Sequence, residues 1–168
     1  ILPGQIIDEA SSFYETKIAE VYVKYEQKLI LSNSLDFDDL LIKTVELFNT
    51  DDDALSFWSK KFKYIMVDEY QDTNFPQYKI IEMLSREHKN ICVVGDSDQS
   101  IYAFRGADIR NIDEFDKDFS NAKTIVLDRN YRSTQKILDA ANSVISINKN
   151  RKSKNLWTDR TDGPEINS

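Results

Sequence analysis

The first third of the chain repeats apolar residues at helical spacing. Phe13, Tyr14, Ile18, Val21, Tyr22, Tyr25 and Leu29 recur three and four apart, which predicts a long helix with one apolar stripe. Asn33 and Ser34 interrupt it. Asp36 then suits an N-cap, with Asp38 and Asp39 in a first turn where the helix dipole favours acids. Phe37, Leu40, Leu41, Val45 and Phe48 predict the inward face of this second helix. Asp51, Asp52 and Asp53 read as a solvated turn and cap before a short amphipathic helix around 55–62.

The texture then changes from period to run. Tyr64 to Val67, Ile91 to Val94 and Thr124 to Leu127 are short apolar runs, each stopped by Asp or Gly-Asp. Continuous runs of this length predict strands covered on both faces, as in a parallel sheet. Helical patterns separate them. Pro76 suits the first turn of a helix over 77–86 whose buried face is Ile80, Ile81 and Leu84. Ile109, Ile112 and Phe115 predict another helix. Ile137, Leu138, Ala141, Val144 and Ile145 predict a third, capped by Ser133 or Thr134. Alternating strands and helices imply an α/β fold with an open parallel sheet, preceded by a helical segment. Cys92 falls inside a strand and reads as core; His88 reads as the polar end of its helix. Lys149, Arg151, Lys152 and Lys154 read as a solvated basic turn.

Composition narrows the function classes. The 168 residues include 22 Lys and Arg against 29 Asp and Glu, a formal charge of −7. A protein that held DNA mainly by neutralising phosphates would be basic, so any nucleic-acid contact must be a local patch or base stacking. One Cys and one His exclude a disulfide framework and a Cys-cluster zinc site, and make a Ser-His-Asp triad improbable. No run reaches the ~18 apolar residues of a membrane helix, so no membrane partner is expected. The expected location is cytoplasmic.

The chemistry concentrates where the runs end. In open parallel sheets, ligands bind beyond the carboxyl ends of the strands. There Asp68 and Glu69 follow the first run. One carboxylate can hold Mg²⁺ through water while the metal bridges nucleotide phosphates, and the next can orient or deprotonate an attacking water. An acid pair closing a strand is weak evidence alone, because acids commonly end strands.

The flanking blocks are more specific. Val67-Asp68-Glu69-Tyr70-Gln71-Asp72-Thr73-Asn74 precedes Val94-Gly95-Asp96-Ser97-Asp98-Gln99-Ser100-Ile101-Tyr102-Ala103-Phe104-Arg105-Gly106-Ala107, and Leu127-Asp128-Arg129-Asn130-Tyr131-Arg132-Ser133 follows. These blocks resemble motifs II, III and IV of superfamily 1A DNA helicases of the UvrD/PcrA/Rep group, in the same order. Leu35 to Leu41 and Asn155 to Thr158 resemble segments flanking those motifs, so the likeness covers the whole chain.

The resemblance implies a partial RecA-like sheet of the P-loop NTPase type. It implies a helical subdomain segment over 1–61, the second half of a first RecA-like domain over 62–122, and the start of a second over 123–168. It implies that Asp68 coordinates Mg²⁺ and that Glu69 is the catalytic base for ATP hydrolysis. Gln71 and Asp72 would couple this motif to its neighbours. Gln99 would contact the γ-phosphate or the attacking water. Tyr131 would stack on adenine, and Arg132 would reach the γ-phosphate as an arginine finger. Tyr102 and Phe104 would stack on bases of single-stranded DNA or DNA junctions, with Arg105 beside them. Many members of that group carry Trp where Phe104 stands.

One departure is large. The four glycines, Gly4, Gly95, Gly106 and Gly163, form no Gly-x-x-x-x-Gly-Lys-Ser/Thr loop. The expectation is therefore a fragment of a 3′→5′ single-stranded DNA translocase, inactive alone, whose partner is the rest of the same helicase chain. Two alternatives are a piece of a nuclease-fused helicase and a non-catalytic binding module derived from one.

Overall fold

A computed structural model describes residues 3–148 and 154–166. The chain divides into two units, Ile1–Trp58 and Ser59–Ser168.

The first unit is helical. It holds α1 (Pro3–Glu9), α2 (Phe13–Leu31), α3 (Phe37–Thr50) and most of α4 (Asp52–Lys61). Reciprocal caps fix two of the starts. Ser12 Oγ accepts from Glu15 N–H at 3.2 Å, and Glu15 accepts from Ser12 N–H at 3.1 Å. Asp36 accepts from Asp39 N–H at 2.9 Å, and Asp39 answers by accepting from Asp36 N–H at 3.3 Å, so the expected cap is present. Tyr25 Oη donates to the same Asp36 carboxylate at 2.9 Å, tying α2 to the start of α3.

The predicted stripe on α2 forms, yet Ala19 is the residue it buries; Phe13, Tyr14, Ile18, Val21 and Tyr25 stay exposed. On α3, Phe48 is buried, whereas Phe37 and Leu40 are exposed, which corrects the inward face expected for them. Spacing decides which side of a helix is apolar, but burial also needs a second surface against that side.

The second unit carries β1 (Ile65–Val67), α5 (Phe75–Ser85), β2 (Ile91–Val93), α6 (Arg110–Asp118) and α7 (Gln135–Ile145). β1 and β2 pair in parallel with Ile65 opposite Ile91 and Val67 opposite Val93. α5 makes the crossover. Asn74 caps it reciprocally with Gln77, and Pro76 lies in the first turn, where its missing N–H costs nothing. Met83 and Ser85 are its buried residues, while Ile80, Ile81 and Leu84 are half-buried. α7 begins after Thr134, as expected, and buries Leu138.

Two strand expectations are corrected. Residues 124–127 form no strand; Ile125, Val126 and Leu127 are exposed. A strand exists only where a neighbour takes its N–H and C=O groups, and no described residue pairs with this run. The nearest pairing is one parallel bridge between Arg129 and Trp157. The sheet is also covered on one face alone. Met66 and Cys92 sit opposite each other and are exposed, so Cys92 is not core. The second unit is thus a mixture of helices and a small two-stranded parallel sheet.

Candidate functional site

Asp68 and Glu69 leave the carboxyl end of β1, and both are exposed. Asp68 Oδ1 accepts from Glu69 N–H at 2.9 Å. Glu69 has φ 49° and ψ 43°, the left-handed region. A residue with a Cβ is strained there by roughly 1–2 kcal/mol, and such strain concentrates at functional sites. The turn is held from behind. Val94 N–H donates to Val67 C=O at 2.8 Å, and Tyr70 N–H donates to Val94 C=O at 2.9 Å. Tyr70 is 2% exposed and meets Phe115 edge-on at 5.7 Å between ring centroids. Burial, with lesser help from Asp118 and Glu114, pushes its phenol up to about 12. Asn111, also buried, donates to Thr73 C=O at 2.9 Å and pins the far side of the turn.

Gln71 joins the two strand ends. It is 1% exposed; Nε2 donates to Glu69 Oε2 at 2.8 Å, and Oε1 accepts from Asp96 N–H at 2.9 Å. Gly95 allows that approach. A Cβ at Gly95 would lie 2.9 Å from Gln71 Oε1 and 3.3 Å from Tyr70 N. Asp96 is the hub of the second loop. Its Oδ1 accepts from Asp98 N–H at 2.9 Å, and its Oδ2 accepts from Gln99 Nε2 at 2.8 Å. Lys154 Nζ pairs with the same Asp96 carboxylate and lies 3.5 Å from Asp98 Oδ2. Burial raises the Asp96 carboxyl, but Lys154, Gln99 and the Asp98 N–H together hold it below the usual carboxylate range. Glu69, Gln71, Asp96 and Gln99 therefore form one hydrogen-bonded chain.

Beyond it, Tyr102 precedes a single 3-10 turn, Ala103–Arg105, whose middle residue is Phe104, and the two ring centroids are 5.9 Å apart. Arg105 lays its guanidinium 5.3 Å from the Tyr102 ring centre and 5.5 Å from that of Phe104. Phe104 is 78% exposed, an apolar ring presented to solvent beside a cation. Gly106 closes the turn at φ 82°.

Tyr131 and Arg132 lie on a separate loop. Asn130 Oδ1 accepts from Arg132 and Ser133 N–H at 2.9 and 2.7 Å. Arg160 Nη1 donates to the Tyr131 and Arg132 carbonyls at 3.2 and 2.8 Å. Arg129 stacks on Tyr131 at 4.8 Å and on Trp157 at 5.5 Å. The Arg132 side chain is exposed and has no hydrogen bond or ion pair among the described residues. No such contact joins Tyr131 or Arg132 to Asp68, Glu69 or Gln99. Sequence reasoning missed Arg160, and it read Lys154 as part of a solvated turn. The structure instead pairs Lys154 with two carboxylates; the other three cations of that turn lie outside the described residues. The signal available for Lys154 was Asp96 and Asp98, two acids two residues apart with no cation nearby in sequence.

Among the described residues, no group of three His, Cys, Asp or Glu could hold a metal ion. The exposed Asp68 carboxylate fits Mg²⁺ bound to nucleotide, which keeps several waters and needs only one or two carboxylates. No helix of the described residues is long and apolar enough to cross a membrane.

Comparison with known families places the whole chain. Residues 2–120 match the model of the UvrD/REP helicase N-terminal domain, and residues 125–168 match that of the UvrD-like helicase C-terminal domain. This chain belongs to the UvrD/REP helicase family. It is similar to the ATP-dependent DNA helicase PcrA of Bacillus subtilis (strain 168), 51% identical over 164 residues, which are 98% of this chain and 22% of that protein. PcrA of Staphylococcus aureus (strain Mu50) is 50% identical over the same coverage, and PcrA of Staphylococcus epidermidis is 51% identical. The chain thus spans 22% of the length of these helicases. In this chain the strand-end acids, the buried glutamine and the aromatic pair lie close together in sequence, between residues 68 and 105.

Proposed function

We propose that this chain is a section of an ATP-dependent DNA helicase that moves 3′→5′ along single-stranded DNA and unwinds duplexes or junctions. Its second unit contributes half of a RecA-like nucleotide site, with the boundaries 62–122 for the rest of the first RecA-like domain and 123–168 for the start of the second. The observation that carries the proposal is the hydrogen-bonded chain from Glu69 through Gln71 and Asp96 to Gln99.

Asp68 and Glu69 are the exposed acids at the strand end. Asp68 holds Mg²⁺, which when bound to ATP neutralises charge on the phosphates. Glu69 orients and deprotonates the attacking water; Gln71 fixes its carboxylate from a buried position. Gln99 presents an amide that can both donate and accept, which suits a contact to that water or to the γ-phosphate. Arg132, exposed on its clamped loop, meets developing charge on the phosphoryl group from the other side, and Tyr131 offers its ring to adenine. Tyr102 and Phe104 offer faces to successive bases, and Arg105 adds a cation against them. This design tolerates the acidic net charge, because stacking needs no basic surface.

Phosphate binding also requires a Gly-Lys loop, and none of the 168 residues supplies one. Hydrolysis is therefore proposed for the helicase in which this chain is joined to such a loop, and no turnover is expected from the 168 residues alone. In that helicase, Glu69→Gln should lower DNA-stimulated kcat by about 10²–10⁴-fold, the usual worth of a general base, with nucleotide binding retained. Unchanged turnover would refute the proposal.

A further inference from the structure

We propose that Lys154 is a positioning residue for the hydrolytic site, a strut from the C-terminal segment that fixes where the Gln99 and Gln71 amides point. The inference deepens the proposed function and rests on it for the reaction that is positioned.

The strut is built from four groups in line. The Lys154 ammonium pairs with Asp96 and lies 3.5 Å from Asp98 Oδ2. Its side chain is 19% exposed and that of Asp98 is 9% exposed, so both are largely withdrawn from water. Asp96 then takes the Gln99 amide on Oδ2 and offers its own N–H to Gln71 Oε1. Gln71 in turn donates to Glu69. One cation on the segment after residue 153 is thus linked to the base after β1 through two residues, the carboxylate and backbone N–H of Asp96 and the side chain of Gln71.

Charge gives the cation its work. Asp96 and Asp98 stand two residues apart in one tight turn, and the Asp98 N–H is already spent on Asp96. Lys154 offsets the repulsion between these two partly desolvated carboxylates, and a neutral side chain in its place removes that offset and loosens the turn toward water. Gln99 would then lose the acceptor that orients its amide. Lys154 lies in the part matched by the C-terminal family model, whereas Asp96, Gln99 and Gln71 lie in the part matched by the N-terminal one. The ion pair is therefore also a direct electrostatic tie between the two matched regions.

The test has two arms. In this 168-residue chain, nitrogen–proton NMR reads the side-chain amide signals of Gln71 and Gln99. Lys154→Gln should move both sets, and Lys154→Arg should return them toward the wild-type positions. Signals that stay in place in Lys154→Gln would overturn the proposal. If that variant does not fold, Asp96→Asn takes its place, because it removes the charge that Lys154 pairs with and keeps an amide oxygen in its place; unmoved Gln99 signals there would overturn the proposal equally. In the longer helicase, Lys154→Gln should lower kcat for ATP about tenfold with KM held within about twofold, since the reacting groups are misplaced rather than the nucleotide released, and Lys154→Arg should recover most of the loss. Unchanged kcat, or a rise in KM alone, would overturn the positioning role. Glu69→Gln serves as control: if it leaves hydrolysis intact, the hydrolytic reading fails, and the strut stands or falls on the amide signals.

Discussion

Replacing Gln71 by Leu tests how much the buried carboxamide holds the strand-end turns together. Leu has a similar volume, so packing around a side chain that is 1% exposed changes little. Three hydrogen bonds are lost, of which the one to Asp72 Oδ2, at 3.5 Å, is long enough to contribute little. The bond from Asp96 N–H, 2.9 Å, is a backbone donor left without its acceptor in a part-buried turn, at about 1–3 kcal/mol. The bond to Glu69 Oε2, 2.8 Å, is charge-assisted, but Glu69 is exposed and water replaces the donor, so it contributes about 1 kcal/mol or less. The expected loss is about 1–4 kcal/mol. For a chain of this size each kcal/mol lowers Tm by about 2–4 °C, so thermal unfolding should shift down by roughly 2–16 °C.

Gln71→Glu discriminates the cause. It keeps an acceptor for Asp96 N–H but sets a second carboxylate against Glu69. The new carboxyl is then raised above its unfolded value, so the variant is best tolerated below the unfolded carboxylate pKa and loses stability as pH rises through the folded one. Urea unfolding at acid and neutral pH measures both variants. A Gln71→Leu chain within about 0.5 kcal/mol of wild type, the usual range for surface changes, would refute the reasoning.

Three further outcomes are expected. Gly95→Ala places a Cβ 2.9 Å from Gln71 Oε1, so it should cost about 1–3 kcal/mol in urea unfolding, with the Gln71 amide signals displaced. Tyr70 is protonated in the fold up to about pH 12, above its unfolded value, so its stabilisation is complete below the unfolded pKa and is lost as pH rises through the folded one. Tyr70→Phe should flatten that alkaline loss, as read by unfolding at pH 9 against pH 11, about one unit either side of the unfolded phenol value. Phe104→Ala in the longer helicase should weaken single-stranded DNA binding by about 1–3 kcal/mol, read by fluorescence anisotropy, while Phe104→Trp should keep or strengthen it.

The chain's own pattern determined its local structure. Apolar spacing placed α2, α3 and α5, and Asp36 and Pro76 marked helix starts correctly because caps and proline act within one turn. The order of the three blocks around Asp68, Gln99 and Arg132 was enough to name the family. Tertiary structure decided what depends on a second surface or a distant partner. Ile125, Val126 and Leu127 are as apolar as β1, yet form no strand, because pairing is supplied by a neighbour rather than by the run itself. Cys92 alternates onto an uncovered face for the same reason. The joining of Glu69 to Gln99 through Gln71, and the seating of Lys154 on Asp96 from 58 residues away, arise only when the chain folds back on itself. Those contacts are long-range electrostatics and hydrogen bonds, which leave no period in a sequence.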